Sequence, residues 1–483
     1  MKRIVPLLCA MAMLVSGCAT TGGIRPHATL VEPSQLKAGN AVTSLHHDAP
    51  WPETEWWHAF NDPQLDALIH QAVSYRPDLQ AARARLETAR YQARIAGAAL
   101  QPQVDTQAQF SRERFARYTT VSPPGGYTVW NNEMGVSLDY DLDLWGRDKA
   151  AQTGAIDVVK ASGAEYQAAR IALEVAVVRT YVQLWTQYRL LDAYQRLFDQ
   201  SVRARDIVAA RLHAGLSSPL EMSQAQTEVA VSADNYEQAK RQIALLRNAL
   251  GVLSGQGPGA GDTLKRPDFS VDYAALVPHA LPADLLGRRP DIVAQRWRVE
   301  AAAQQIKVAH AAFYPNVDLV ALASLGSLTT FGGFGNFLGK EGAGHQIGLA
   351  LSLPLFDGGR RQGEYGVAVS SYDGAVDTYN QAVLDALHQA ADEVTALKSL
   401  QSEGDQAQLA FDSADRAYAL ATRGYRRGIL EFLDVLVAQD TQVRQQQVLI
   451  VTQAQELDAW VLLIHALGGG YAPAQNGPHA PLG

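Results

Sequence analysis

Cysteine is almost missing from this chain: two in 483 residues, Cys9 and Cys18, both within the first eighteen positions. No disulfide therefore supports the body of the protein. Beyond the N-terminus there is no run of eighteen apolar residues either, which excludes a hydrophobic transmembrane helix on this reading. If the chain crosses a bilayer, strands must do it. Charge is mild, with 41 basic against 49 acidic residues, and no basic tract marks a nucleic-acid partner. A nucleophile elbow, a phosphate-binding loop and a His-Glu-x-x-His pattern are all lacking, so no catalytic, cofactor-binding or metal residue is expected. The 12 histidines are scattered. His46-His47 lies in a tether-like stretch, where chance adjacency is a simpler account than a metal site. Internal proline is missing from two long stretches that follow Arg147 and Arg360, leaving each free to form one unbroken helix.

The N-terminus carries Lys2-Arg3, an apolar run from Ile4 to Val15, and then Ser16-Gly17-Cys18. This is the pattern of a signal segment, too short to span a bilayer. The ending Val-Ser-Gly-Cys resembles a bacterial lipobox, whose cysteine becomes the acylated first residue. Cys18 is accordingly expected to carry the acyl and diacylglycerol lipid, a covalent group rather than a cofactor. Two or more chains hold firmly in a membrane where one does not. Ala19 resembles the residue found in lipoproteins sorted to the outer membrane.

The second half of the chain repeats the first in register, at one constant spacing set by Arg76 and Arg289. Arg76-Pro77-Asp78 recurs as Arg289-Pro290-Asp291, Pro102 with Val104-Asp105 as Pro315 with Val317-Asp318, and Gly135 as Gly348. Arg147, Gly215 and Gln226 recur as Arg360, Gly428 and Gln439. Half of the residues from 76 to 105 are identical to their counterparts. The period is too long for a solenoid unit. It reads as two copies of one large unit.

Each copy reads as helix, two strands, a very long helix, a turn and another helix. Val104, Thr106, Ala108 and Phe110 alternate with polar residues, and so do Val136, Leu138, Tyr140 and Leu142. In the second copy Val317 to Leu325 and Ile347 to Leu355 do the same. The long helices, about 67 residues each, would extend about 100 Å. Val177, Tyr181, Leu184, Tyr188, Leu191 and Phe198 form one stripe, with Val175, Val178, Val182 and Trp185 beside it. Two adjacent stripes imply neighbours on both sides, as in a ring of helices. Four strands cannot close a membrane barrel, so copies must join through them. Two chains would give eight strands and a filled interior; three would give twelve and a wide lumen.

Several motifs then carry a family resemblance over nearly the whole chain. They are Trp56-Trp57-x-x-Phe60-x-Asp62-Pro63, Leu142-Asp143-Leu144-Trp145-Gly146-Arg147, Arg288-Arg289-Pro290-Asp291-Ile292, Pro354-Leu355-Phe356-Asp357-Gly358-Gly359-Arg360 and Tyr425-Arg426-x-Gly428-Ile429. In this order they resemble the outer membrane factor family of tripartite efflux pumps, the TolC/OprM type, in its NodT-like lipoprotein branch. The resemblance implies a mixed α and β membrane protein with an internally duplicated protomer. It implies a trimeric twelve-stranded β-barrel continuous with a long twelve-helix periplasmic α-barrel, ringed by an equatorial collar. The expected activity is passive export from periplasm to exterior through a gated tunnel. The implied partners are two further copies, a periplasmic adaptor (membrane fusion protein), an inner membrane pump of the RND type, and outer membrane lipid.

The same resemblance selects site residues. Asp434 matches an inward acid of the periplasmic aperture and Leu433 a constricting leucine beside it. Tyr425 matches a latch tyrosine whose acidic partner here is Glu221, while Leu430 stands where the family often has a basic residue. The turns at Gly215-Leu216 and Gly428-Ile429 match the adaptor-docking tips. Local chemistry offers other accounts. Ser218-Pro219-Leu220-Glu221 is a capping box, Asp434 sits where it would favour a helix dipole, and Leu433 could be ordinary packing.

The expected organisation is a signal segment over 1–17, a lipid-anchored tether and collar segment over 18–61, and a first repeat over 62–250. A linker over 251–288, a second repeat over 289–467 and a flexible tail over 468–483 follow. Two other readings stay open: a coiled-coil envelope lipoprotein with no pore, and a channel of the same fold for metal-ion or protein export.

Overall fold

The structure, a computed structural model, describes residues 21–31, 36, 52–118, 125–269, 271, 288–329 and 334–471. The signal segment, Cys18, His46-His47 and the tail beyond Tyr471 lie outside the described residues. Eleven elements follow one another among them: α1 Pro63–Tyr75, α2 Pro77–Ala98, β1 Gln103–Arg114, β2 Thr128–Asp141, α3 Arg147–His213, α4 Pro219–Leu253, α5 Pro290–Ala311, β3 Asn316–Thr329, β4 Ala343–Ser352, α6 Arg360–Arg426 and α7 Phe432–Ala466. The bounds of α2, α3 and α4 recur, at the spacing of the sequence repeat, as those of α5, α6 and α7. Residues group into two compact units, each drawing on both halves of the chain. One comprises 1–30, 85–162 and 294–379; the other comprises 31–84, 163–293 and 380–483.

In the first unit the four strands form one antiparallel sheet in the order β1-β2-β3-β4. Its register carries the alternation across every strand. Val104, Leu138, Ala321 and Ile347 are direct neighbours, and the next row is Asp105, Ser137, Leu322 and Gln346. This first row is apolar from edge to edge, and a one-residue slip in any strand would break it; the same face also carries Thr106, Asn132, Ser327 and His345. Ile347, Leu349 and Leu351 stand more than half exposed on it. β1 and β4 are edges with no partner strand among the described residues.

The strands differ from the sequence reading at their ends. β2 starts at Thr128, eight residues before Val136, because Trp130 to Met134 pair with β1 although their side chains do not alternate cleanly. β4 stops at Ser352, before Leu353-Pro354, since Pro354 offers no amide to a ladder. The glycine-rich stretch after β3 contains two short 3-10 helices, Phe334–Leu338 and Lys340–Gly342. Phe334 packs on Phe110 and Trp130, with ring centroids 5.5 and 5.4 Å apart.

Aspartates make the junction from strand to long helix. After β2, Asp143 accepts the amides of Asp148 and Lys149 at 3.0 and 2.9 Å, capping α3. Arg147 bonds Asp141 at 2.6 Å and Asp148 at 2.9 Å. After β4 the equivalence slips by one residue. Arg361, not Arg360, bonds Asp357 at 2.6 Å and the Pro354 carbonyl at 2.7 Å.

The second unit holds the main core. The 3-10 helix Trp56–Phe60 buries Trp56, Trp57 and Phe60, and Trp56 meets Trp460 at 5.9 Å. Asp62 caps α1 through the Gln64 amide at 2.9 Å and accepts the Tyr181 hydroxyl at 2.5 Å. The Arg-Pro-Asp repeats are clamps. Arg76 holds Asp78 at 2.9 Å and the Val252 carbonyl at 2.9 Å. Arg289 holds Asp291 at 2.7 Å and the Ala466 carbonyl at 3.2 Å. Each places a guanidinium at the carbonyl end of a returning helix, where a cation is favoured.

The lack of an eighteen-residue apolar run does not by itself exclude a membrane-spanning helix. α7 is long and apolar enough by length and composition. Half of that window is buried, and Trp460, Val461, Leu463 and Ile464 belong to the core. Packing accounts for its apolarity.

Two outcomes test this core. Asp62→Ala removes a cap and the acceptor of the Tyr181 hydroxyl together, so we expect a loss of about 1–3 kcal/mol. Tyr181→Phe should cost less, because Asp62 keeps the Gln64 amide. Equal thermal midpoints by circular dichroism for Asp62→Ala and the parent would refute the contact's weight. The second concerns Glu174, whose carboxyl is pushed up to about 7 by burial, only partly offset by Arg170. A raised folded-state value favours the protonated fold. The contribution is thus full below about 4.5 and lost as pH rises through about 7. Glu174→Gln should flatten stability across that window and exceed the parent above it, as denaturant melts at several pH values would show.

Candidate functional site

The residues singled out at the two helical turns all fall in the second unit. α3 ends at His213, and Gly215 follows with φ 71°. Its amide donates to the Leu212 carbonyl at 3.0 Å and that of Leu216 to the Arg211 carbonyl at 2.8 Å. This is the Schellman pairing, which satisfies carbonyls that the helix end leaves free. The other turn matches it. Gly428 has φ 74°, its amide reaches the Tyr425 carbonyl at 3.0 Å, and that of Ile429 reaches the Gly424 carbonyl at 2.9 Å. Only glycine takes this conformation without strain.

Ser218 caps α4 by accepting the Glu221 amide at 3.2 Å. The Glu221 carboxylate accepts the Ser217 hydroxyl, and the Tyr425 hydroxyl lies 3.5 Å from it. That separation is long for a bond between oxygens, so the pair is in reach rather than tightly latched. Tyr425 is buried, with its hydroxyl pKa raised chiefly by burial and further by the Glu221 charge. It stays neutral and able to donate. The Phe432 ring stands 5.5 Å from it.

Asp434 caps α7. Its carboxylate accepts the Glu431 amide at 2.9 Å, and the Glu431 carboxylate accepts the Asp434 amide in return. Asp434 and Leu433 are exposed. Leu216, Leu220, Ile429, Leu433 and Val437 are each more than half exposed. These large apolar side chains cluster at the turns of two helical hairpins and leave them exposed apolar surface. Leu430 lies against Gly424, where an added Cβ would meet its Cδ1 at 2.7 Å. Arg426 and Arg427 are exposed.

Sequence reasoning missed Arg211. Its guanidinium lies 4.6 Å from the centre of the Tyr425 ring and donates to the Tyr425 carbonyl at 3.2 Å and the Leu216 carbonyl at 3.3 Å. It ties both turns together. The repeat could not reveal it, because position 424, its counterpart, is glycine. Among the described residues no group of three His, Cys, Asp or Glu side chains is arranged to hold a metal ion. Arg211→Ala should speed amide exchange at Leu216, Gly428 and Ile429 by about tenfold, from the lost cation–π and carbonyl contacts. Unchanged exchange by mass spectrometry would show that the turns hold without it.

Comparison with known proteins identifies the family. A family model described as outer membrane efflux protein matches residues 68–256 and 281–469. The fusaric acid resistance protein FusA of Burkholderia cepacia is 42% identical over 364 residues, covering 74% of this chain and 68% of FusA. The multidrug resistance outer membrane protein MdtP of Escherichia coli K12 is 29% identical over 489 residues, covering 98% and 97% of the two chains. The crystal structure of the outer membrane protein VceC of Vibrio cholerae superposes with a TM-score of 0.82 at 33% identity, over 87% of this chain and all of VceC. With two matched segments of equal length, one in each half, the protein belongs to the outer membrane efflux protein family and serves as an outer membrane channel for efflux.

Proposed function

We propose that three copies of this chain form the exit duct of a tripartite efflux system, supplied by an inner membrane pump of the RND type through a periplasmic adaptor. The observation that carries this reading is the four-stranded sheet with an apolar row running from edge to edge and two edges open among the described residues. In lipid an unpaired edge costs several kcal/mol per backbone group. Joining β4 of one copy to β1 of the next removes both edges, and three copies give twelve strands around a wet lumen. The apolar row then faces lipid, and the row of Asp105, Ser137, Leu322 and Gln346, polar in three of its four members, faces the lumen.

The common offset that relates α2, α3 and α4 to α5, α6 and α7 supports a protomer built by internal duplication. The family resemblance adds a twelve-helix periplasmic barrel and a collar, to which Trp56 and Trp57 would be anchored. Acylated Cys18 would tether the chain to the outer membrane. The hairpin tips at Gly215-Leu216 and Gly428-Ile429, with their exposed apolar side chains, suit adaptor docking. Leu433 and Asp434 would line the aperture, and Tyr425 with Glu221 would hold its two hairpins together. The names of the relatives favour small toxic organic compounds as cargo, with the pump making the selection. Metal-ion or protein export would change the partners and leave the channel's design intact. A pore-free coiled-coil lipoprotein would have no use for the apolar sheet face.

Three Asp434 carboxylates around one axis would repel and attract cations. Leu433→Ala with Asp434→Ala should raise single-channel conductance of the purified trimer in planar bilayers. Asp434→Asn keeps an oxygen for the Glu431 amide, so it should lower cation preference while sparing the turn. Unaltered conductance in the double variant would move the constriction elsewhere. A monomeric, impermeant product would overturn the whole reading.

A further inference from the structure

Where the sheet gives way to the helices of the first unit, a cavity of about 660 Å³ is lined by Trp145, Lys149, Lys307, His310, Tyr314 and Tyr365, among others. Trp145 stacks on Tyr314 at 4.7 Å and 21° and donates its indole N–H to the Pro315 carbonyl at 2.7 Å. His310 lies between aromatic rings, 5.5 Å from Tyr314 and 6.1 Å from Tyr365. No carboxylate lines the cavity. Neither Lys149 nor Lys307 makes an ion pair among the described residues, while most other basic side chains of this unit's helices do. Lys149 and Lys307 are both exposed and give the rim of this aromatic cleft two positive charges.

Three observations fix the level of this cleft. Trp145 follows the end of β2 by four residues, and Tyr314 precedes β3 by two. The N-terminal stretch arrives at the same wall: Ile24 packs with Phe313, Tyr365 and Val369, and Gly22 lies beside Gln362. Further along, the amides of His27 and Ala28 bond Asp373 at 3.1 and 3.0 Å, so the stretch follows α6. Cys18 lies four positions before Gly22, a reach of at most about 14 Å. An acyl group on Cys18 would enter lipid within that distance of Gly22.

We propose that the cleft binds the headgroup of an anionic phospholipid from the leaflet facing the periplasm. Lys149 and Lys307 would hold the phosphodiester, and Trp145 with Tyr314 the glycerol and the first methylenes, as aromatic side chains do at membrane boundaries. The proposal rests on the strands crossing the outer membrane, and its test separates the two ideas.

The full-length trimer, delipidated in detergent, is titrated with phosphatidylglycerol and with phosphatidylcholine, and retained lipids are counted by native mass spectrometry. Up to three phosphatidylglycerol molecules should be retained per trimer, with phosphatidylcholine weaker. Lys149→Gln with Lys307→Gln should weaken retention about tenfold or more, Lys149→Arg with Lys307→Arg should restore it, and Lys240→Gln on α4 should change nothing. Competition by inorganic phosphate at millimolar levels would identify an ion site and overturn the lipid assignment. So would equal retention by the parent and the Gln variant, or equal affinity for both lipids. Conductance in planar bilayers is read in parallel. A conducting Gln variant that has lost its lipid upholds both ideas, and a conducting variant that keeps it sinks only this one. An impermeant parent chain sinks the channel itself.

Discussion

An open sheet edge cannot stand in hydrocarbon, and among the described residues the sheet has two. Each backbone amide or carbonyl on β1 or β4 that faces lipid without a partner costs more than a typical side-chain contact returns. Four strands of 10 to 14 residues cannot bend far enough to satisfy each other. On the proposed reading, the chain would be completed by copies of itself. This explains why the apolar row is kept in register from Val104 to Ile347.

The helices face a different problem. A 67-residue helix has most of its backbone bonds satisfied internally, so its ends and its packing decide whether it stays in place. The chain treats the ends by type. Starts receive acids: Asp143 for α3, Asp62 for α1, Asp434 with Glu431 for α7. The ends of the two returning helices receive arginines, Arg76 and Arg289, each held by an aspartate two residues on. The ends of the long helices receive glycine. Gly470, after α7, meets the same need at closer quarters, since a Cβ there would come within 2.1 Å of the Glu53 carbonyl oxygen.

Much of this was legible in the sequence because it is periodic. The constant spacing between the two halves, the long proline-free helices and the alternation of the four strands all come from patterns that repeat, and the element order follows from them. What was not legible is what breaks the period. β2 runs back to Thr128 because pairing with β1 outweighs the mixed character of Trp130 to Met134. Arg361 rather than Arg360 serves the second junction because Asp357 sits one place later than Asp143 relative to the repeat. Arg211 has no counterpart at Gly424, and its role depends on two distant segments meeting. At the two helical turns the sequence named Tyr425 and Glu221, whose side chains lie 3.5 Å apart. It named Asp434 as an acid without showing that its carboxylate is already bound to the Glu431 amide.

That capping bond bears on how an acid ring could work. A carboxylate free in water takes any of several rotamers, and three of them near an axis would spread apart to reduce repulsion. A carboxylate held by a backbone amide at the first turn of a helix has lost that freedom, because leaving would expose an unsatisfied amide. Its charge is partly balanced by the positive end of the helix, which lowers the cost of bringing three together. The cap and the ring are thus compatible uses of one side chain. Leu433, its neighbour in sequence, faces outward and more than half exposed. A residue that large and apolar can narrow a passage only if the helix start carrying it is fixed, and the Asp434 cap fixes it.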